Sequence, residues 1–374
     1  MYFQYGCLFN QIKQVGKKEE IPIKTLIIGD LHLMYREMKS TKGALENNRI
    51  MLQSIYNKVE EDSEIGLVIF LGDIQHSTPR DIKQVSEWRR WFVDLNRLMI
   101  DRNQTKVNLR YPAEKKHKND LRVLSLRGNH DDEIFSRRKS DYTFFDELES
   151  EGLIGNPDQA IFEDNGNAVV FDIRNYGHAG RLLPEDLQDK ALTVALTHDN
   201  IMTEESDEVV KLIVQESGGY EVEEIGVGCD IVINGHIHTK YEPQAVTIRE
   251  TGKPCIFMVN GSLARTSLAQ DNLRDVGYGM LIDTKEEEVD VQEVEFPVMP
   301  YREYFDLKGY QHKQRLNQAS KDFSLGLDEQ TVINQEDLEQ TIRESRQYSN
   351  QVIEKALEYL ELVDNDLERL AREE

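Results

Sequence analysis

One construction, repeated five times, constrains the fold of this chain more than any other feature. A short apolar run ends at a glycine, or once at a threonine, and an acid, asparagine or histidine follows. The runs are rich in leucine and β-branched residues and do not alternate with polar residues, which is typical of strands buried on both faces in a layered α/β protein. The five segments are TLIIGDLH (25–32), LVIFLGDIQH (67–76), RVLSLRGNHD (122–131), LTVALTHDN (192–200) and IVINGHIH (231–238).

The polar residues always come at the carboxyl end of the predicted strand. Ligands bind at that edge in open α/β sheets, so the pattern predicts one shared crevice. An isolated His-x-His pair would say little, because either ring could be solvated or satisfied in a core. Here, however, six of the nine histidines fall in these segments. The pooled residues are Asp30, His32, Asp73, His76, Asn129, His130, His198, His236 and His238.

These side chains supply donors for two divalent ions. The first set is Asp30, His32, Asp73 and His238, and the second is Asp73, Asn129, His198 and His236, with Asp73 bridging. Paired ions about 3.5 to 4 Å apart promote in-line displacement at phosphorus in phosphatases and nucleases. Two dications opposed by two carboxylates and one bridging hydroxide leave an excess of positive charge, which favours a phosphate ester as the substrate.

The blocks GDLH, GDIQH, GNHD, TH and GHIH, in this order, resemble the five signature blocks of the calcineurin-like metallophosphoesterases. The resemblance spans roughly residues 24 to 285. It implies the fold of that family, an α/β fold in which a two-layered β-sandwich is flanked by helices. A C-terminal helical extension is expected to follow.

The second block separates branches of that family. Protein phosphatases follow the bridging aspartate with an Arg-Gly pair, whereas Asp73 is followed by Ile74, Gln75 and His76. GDIQHSTP (72–79) resembles instead the block of SbcD-type DNA repair nucleases and their archaeal, eukaryotic and phage counterparts. PCIFMVNGSLARTS (254–267) is similar to the segment that follows the last metal ligand in those nucleases, although a Gly-Ser pair is also a common turn. The resemblance implies a manganese-dependent DNA exonuclease or endonuclease subunit whose nucleophile is a metal-bridging hydroxide.

The same resemblance implies roles for two histidines outside the ligand sets. His130 would protonate the leaving oxygen, a task suited to a ring that titrates near neutral pH, or it could be a structural partner of Asp131. His76 would contact the scissile phosphate, or it could orient a metal ligand. The oxygen and imidazole donors suit Mn²⁺, which the nuclease branch implies, and also admit Fe²⁺ or Zn²⁺. The three cysteines form no ligand spacing and suggest a reducing compartment.

The formal net charge of -24 is the main argument against a DNA substrate, because an acidic surface repels the phosphate backbone. Basic clusters do occur at KKHK (115–118) and SRRKS (136–140), and the second could reach the site. No run of 18 apolar residues and no secretion signal occurs, so we expect no membrane association and a cytoplasmic location.

The predicted organisation has four parts. An N-terminal extension covers residues 1–23, the catalytic domain 24–296, a linker or reduced cap 297–333, and a helical tail 334–374. Apolar residues recur along one seam of the tail: Ile353, Ala356, Leu360, Val363, Leu367 and Leu370. The seam could pack on the domain, but the SbcD resemblance implies docking onto an SbcC-like coiled-coil ABC ATPase, and a homodimer.

Two other functions stay open at this stage. One is a phosphodiesterase or phosphatase that acts on a small nucleotide or a phosphoprotein, which the acidic composition suits. The other is a noncatalytic scaffold, which the complete set of ligands disfavours.

Overall fold

The computed structural model describes residues 23–37, 41–77, 81–100, 107–112, 121–132, 143–164, 167–188, 192–204, 218–266, 273–284 and 289–307, together with residues 190, 206, 211 and 214. Several expectations concern other residues. The N-terminal extension up to residue 22, the basic segments 115–118 and 136–140, and the helical tail all lie outside the described residues.

The described strands include one for each predicted apolar run. They are β1 (Lys24–Ile28), β2 (Ile65–Phe70), β3 (Val107–Arg110), β4 (Val123–Ser125), β5 (Gln159–Asp164), β6 (Asn167–Arg174), β7 (Leu192–Thr197), β8 (Ile201–Met202), β9 (Tyr220–Glu221), β10 (Ile231–Asn234), β11 (Tyr241–Thr247), β12 (Pro254–Val259), β13 (Val276–Asp283) and β14 (Asp290–Pro297). The helices are α1 (Ala44–Glu61), α2 (Ile82–Ile100), α3 (Phe144–Ser150), α4 (Val222–Ile225) and α5 (Tyr301–Tyr304), with 3₁₀ turns at Asn129–Asp131 and Glu185–Leu187.

Two sheets make the body of the domain. Within the described residues, one sheet has the order β14-β13-β1-β2-β4 and the other β11-β12-β10-β7-β6-β5-β3. β1, β2 and β4 are parallel to one another, and so are β6, β7, β10 and β12. The carboxyl ends of parallel strands share an edge, so each sheet gathers several of the predicted polar blocks at one end.

The apolar runs do not alternate because both faces of these strands are covered. In β2, Leu67 and Ile69 belong to the core between the two sheets, while Val68 and Phe70 belong to the core under the helices. Trp88 and Phe92 of α2 pack into that second core. This two-layered sandwich with flanking helices confirms the predicted α/β fold class.

The chain continues into contact with the same body after β14. The side chain of Tyr304 in α5 is buried, and its ring lies 4.5 Å from the guanidinium carbon of buried Arg265. The backbone N–H of Lys42 donates to the carbonyl of Tyr304, which ties α5 to the segment before α1. None of the described helices is both long enough and apolar enough to span a membrane.

Candidate metal centre

The five polar blocks meet where strands from both sheets end. β1 leads to Asp30 and His32, β2 to Asp73 and His76, β4 to Asn129 and His130, β7 to His198, and β10 to His236 and His238. We call the seven predicted metal ligands the ligand cluster: Asp30, His32, Asp73, Asn129, His198, His236 and His238. His76 and His130 are called the histidine pair.

The backbone joins the first two blocks directly. The N–H of His32 donates to the carbonyl of Asp73 over 2.8 Å, and the N–H of Leu33 donates to the carbonyl of Ile74 over 2.9 Å. His32 and Asp73 have positive φ angles of 39° and 44°. Side chains other than glycine rarely adopt this left-handed conformation, and where they do the strain concentrates at functional sites.

Two glycines allow the blocks to come this close. Gly72 has a φ of 103°, and a Cβ there would lie 2.6 Å from Nδ1 of His198. A Cβ on Gly128 would lie 2.2 Å from Oδ1 of Asp73. Any larger residue at either position would therefore displace a member of the ligand cluster.

The first predicted donor set converges in space. Nε2 of His238 lies 3.0 Å from Nε2 of His32 and 3.2 Å from Oδ2 of Asp30. Nε2 of His32 lies 3.4 Å from Oδ2 of Asp73. These four side chains point ligand atoms at one small volume, as the spacing of the blocks predicts.

The second set forms around His198. Its Nε2 lies 3.3 Å from Oδ2 of Asp73 and 3.1 Å from Oδ1 of Asn129, and its ring centroid is 5.0 Å from that of His236. Oδ2 of Asp73 is thus the oxygen that faces both sets, the position of a bridging ligand. Nδ1 of His198 contacts the carbonyl of Leu71 at 2.6 Å. A carbonyl only accepts, so Nδ1 carries the proton and Nε2 faces the cluster.

The electrostatics of the cluster favour cations. Asp30 is fully buried, neither of its carboxylate oxygens meets hydrogen-bond geometry with a donor among the described residues, and burial raises its pKa. Burial alone would also raise the pKa of Asp73 and lower that of His198. Their mutual attraction prevails, so the pKa of Asp73 is lowered and that of His198 is raised to about 10. A site that stabilises positive charge so strongly, from oxygen and imidazole donors alone, fits divalent manganese, iron or zinc.

The histidine pair lies beside the cluster. The two rings stack with centroids 5.3 Å apart, and the ring of His130 is 4.7 Å from that of His32. Nδ1 of His130 contacts the carbonyl of His76 at 2.6 Å, and the backbone N–H of His130 donates to Oδ1 of Asp73 over 2.8 Å. Burial, followed by the neighbouring His130, lowers the pKa of His76 to about 4, so His76 is neutral at pH 7.

Asp131 does not bond the ring of His130 in any hydrogen bond that the structure describes. Its carboxylate accepts the backbone N–H groups of Ile74, Gln75 and Gly128. Burial raises the pKa of Asp131 to about 7, and the charge of Asp73 adds to the effect. The carboxylate therefore supports the backbone of the second and third blocks.

Sequence reasoning missed several residues that support the site. Oγ1 of Thr266 lies 3.4 Å from Nδ1 of His238, and the ring of Tyr176 lies 6.1 Å from that of His236. The loop that carries Tyr176 is anchored by the carboxylate of Asp199, which accepts two backbone N–H groups. Thr266 lies in the segment 254–267, which is similar to a segment of the SbcD-type nucleases. The loop that carries Tyr176 contains no motif, so the sequence contains no signal for the contact of Tyr176 with His236.

Comparisons with known proteins match the chain to one family. The family model "Calcineurin-like phosphoesterase" matches residues 23–240, more than half of the chain. No curated protein sequence matches significantly.

Several solved structures are similar at low identity. An archaeal phosphodiesterase is 13% identical, with 73% of this chain and 100% of that chain covered and a TM-score of 0.31. A putative 5'-nucleotidase from Staphylococcus aureus is 12% identical, covering 74% and 54%, with a TM-score of 0.39. A 5'-nucleotidase precursor from Thermus thermophilus is 13% identical, covering 80% and 59%, with a TM-score of 0.33. Matches at this level carry no conclusion about the substrate.

Proposed function

We propose that this chain, which belongs to the calcineurin-like phosphoesterase family, hydrolyses phosphodiester bonds in DNA as an SbcD-like nuclease subunit. Membership of that family makes the chain a metal-dependent phosphoesterase, a hydrolase that acts on ester bonds. The finer assignment rests on one observation. His76 stacks on His130 beside the ligand cluster, whereas protein phosphatases of the family are expected to have an arginine soon after the bridging aspartate.

In this proposal His130 is the proton donor. Because the carbonyl of His76 can only accept, Nδ1 of His130 holds a proton there. In the imidazolium form Nε2 carries the second proton, and it is this proton that would pass to the leaving oxygen and leave the ring neutral. An alkoxide is a poor leaving group, so proton donation matters most for an alkyl diester such as DNA. An aryl ester depends on it much less.

His76 supports the same reaction in another way. Its pKa of about 4 keeps the ring neutral at pH 7, so it can donate one hydrogen bond to a phosphate oxygen without adding a charge. A diester carries one negative charge and needs less positive charge from the protein than a monoester does. The pair of imidazoles thus favours diesters.

The ligand cluster would hold two divalent ions, for which we propose Mn²⁺. When bound, they supply Lewis acidity toward the phosphate and activation of the attacking water. The protein contributes the buried carboxylates of Asp30 and Asp73 and the imidazole of His198, whose Nδ1 bonds the carbonyl of Leu71.

A panel of substrates tests the proposal. With Mn²⁺, the protein should cleave single-stranded or duplex DNA and an aryl phosphodiester faster than an aryl phosphomonoester. Cyclic dinucleotides belong in the same panel, and Asp73→Ala is the control for a contaminating nuclease. A faster monoester reaction, with no cleavage of DNA across a range of salt concentrations, would replace this proposal with the second candidate.

That second candidate is a phosphodiesterase or phosphatase for a small nucleotide or a phosphoprotein. The net charge of -24 favours it, since a small substrate needs no basic surface to hold a long polyanion. Rapid turnover of a nucleotide or phosphopeptide, with DNA inert, would support it.

We further propose that a partner holds the DNA. An SbcC-like coiled-coil ATPase bound through residues 334–374, in a complex with two copies of this chain, would reconcile the acidic composition with a DNA substrate. Deleting residues 334–374 should leave metal content and small-substrate turnover intact while abolishing association with the ATPase. A truncated protein that unfolds or binds a hydrophobic dye would show that the apolar seam packs on the domain instead.

A further inference from the structure

Gln75 lies between the bridging ligand Asp73 and His76, and its side chain is buried. Both ends of its amide are used. Nε2–H donates to the backbone carbonyl of His130 over 3.2 Å, and Oε1 accepts the backbone N–H of Phe144, the first residue of α3, over 3.1 Å. The amide therefore spans three segments that are distant in the sequence.

The backbone of Gln75 is fixed independently of its side chain. Its N–H donates to Oδ1 of Asp131 over 3.3 Å, and it forms an isolated parallel bridge with Leu33. The next N–H, that of His76, donates to the carbonyl of Leu33 over 3.1 Å. Because the backbone of Gln75 is fixed, its side-chain amide can hold the main chain of His130 in one position relative to Gln75.

Three hydrogen bonds join His130 to residues 73–76. Its N–H bonds Oδ1 of Asp73, its Nδ1 bonds the carbonyl of His76, and its own carbonyl accepts from Gln75. Asp73 cannot be changed without removing a predicted metal ligand, and a main-chain carbonyl cannot be removed by substitution. Gln75 is thus a side chain through which the main chain of His130 can be altered while the ligand cluster stays complete.

We propose that Gln75 is a positioning residue that holds the main chain of His130 so that Nε2 of that ring reaches the leaving oxygen. The inference rests on the proposed role of His130 as proton donor. A displacement of about 1 Å in a reacting group can cost on the order of 100-fold in rate. Nothing in the GDIQH pattern alone reveals this role, because the contact depends on a residue 55 positions away.

Gln75→Met is the informative variant, because methionine is similar to glutamine in volume and length but cannot form either hydrogen bond of the side-chain amide. Gln159→Met is a matched control. Gln159 is also buried, and its Nε2 donates to Asp172 rather than to the site. Gln75→Glu is the second variant, since it keeps an acceptor for the N–H of Phe144 and loses the donor to His130.

The assay uses the full-length protein with Mn²⁺ and a series of methyl aryl phosphates whose phenols differ in acidity. These diesters report on proton donation whether or not DNA is the natural substrate. For Gln75→Met, the rate with the least acidic phenol should fall roughly 10- to 100-fold, a part of the roughly 10²- to 10⁴-fold that a general acid contributes. The rate with 4-nitrophenol should fall less than about 3-fold, and bound manganese should stay at the wild-type level. For Gln75→Glu, the hydrolysis rate should depend on the acidity of the leaving phenol as steeply as it does for Gln75→Met. For Gln159→Met, that dependence should be the same as in wild type.

An equal fall across the whole series, or no fall in either Gln75 variant, would overturn the inference. His130→Gln in the same series separates the two proposals. If it shows no greater loss with poorer leaving groups, the proton-donor role itself fails. If it shows the steeper dependence while both Gln75 variants match wild type, only the positioning role fails.

Discussion

Two clusters of charged side chains in this molecule differ in how their buried aspartates are paired. In the arginine cluster, formed by Asp158, Asp172, Arg174 and Arg181, Oδ2 of Asp172 accepts from Nε of Arg174 over 2.7 Å, and Oδ1 accepts from Arg181 over 2.8 Å. Arg174 also donates to the carbonyls of Ala179 and Ile225. In the ligand cluster, both oxygens of Asp30 are equally buried, but among the described residues no donor meets hydrogen-bond geometry with them.

The difference separates a structural cluster from a functional one. Asp172 and Arg174 carry opposite charges that cancel within the protein, so burying them requires no other species. Asp30 lies near Nδ1 of His198 and Nε2 of His238, at 3.6 and 3.2 Å, without hydrogen-bond geometry. A cation site requires ligand atoms that converge on one volume without forming hydrogen bonds to one another. Burying such unpaired polar groups lowers stability, and proteins retain them where function requires them.

The largest effect is expected for Asp73→Ala. Asp73 faces both donor sets through Oδ2, so its loss should remove the second ion and abolish turnover. The fall in kcat should be on the order of 10⁵-fold or more, because accelerations of about 10⁶ or more are typical of enzymes and here depend on the metals. Elemental analysis of the variant gives the metal content. Two ions per chain in the alanine variant would exclude the bridging role.

His130→Gln should separate the histidine pair from the ligand cluster. The substitution removes a proton donor and no predicted ligand, so kcat should fall roughly 10²- to 10⁴-fold while metal content stays near that of wild type. The measurement is turnover of an alkyl diester alongside metal analysis on the same sample. Loss of metal would mean that His130 belongs to the ligand cluster, and the boundary between the two groups would have to move.

The strands, and the sheet edge at which the polar blocks gather, were predictable for a physical reason. A strand covered on both faces must be apolar throughout, so β2 and β7 stand out as continuous runs, and the polar residues that follow them must lie at a sheet edge. That two sheets rather than one supply those edges came only from the family resemblance. The bonds of Gln75 and the contact of Thr266 with His238 could not be predicted, because they join residues that no local pattern relates.

A matched pair of substitutions, one in each cluster, tests how much each buried aspartate contributes to the free energy of unfolding. Asp172→Asn should lower the free energy of unfolding by roughly 3 to 5 kcal/mol, because it leaves the charge of Arg174 buried without its partner. Asp30→Asn in metal-chelated protein should cause a smaller loss than Asp172→Asn, because the carboxylate of Asp30 meets hydrogen-bond geometry with no described donor and only its attraction to His198 and His238 is removed. Urea denaturation in the presence of a chelator measures both. Equal destabilisation by the two variants would show that Asp30 is a structural charge like Asp172.

The smallest effect concerns Cys229, whose Sγ lies 3.5 Å from Nη2 of Arg174 at the border of the arginine cluster. Burial raises the pKa of this thiol from 9.0 to about 11. A group with a raised folded-state pKa stabilises the protein fully below its unfolded pKa, and that contribution is lost as the pH rises through the folded value. Between pH 8 and pH 11, the thiol should therefore account for roughly 2 kcal/mol of lost stability.

Cys229→Ala removes that titration. Urea denaturation under reducing conditions should show a smaller decrease in unfolding free energy between pH 8 and pH 11 for the variant than for wild type, whatever the variant's stability at pH 8. Cys255 is buried close by and burial also raises its pKa, so Cys255→Ala should reduce the same dependence. If wild type and Cys229→Ala lose stability in parallel, the thiolate is tolerated next to Arg174. The arginine cluster would then hold spare positive charge and would not be neutralised from within.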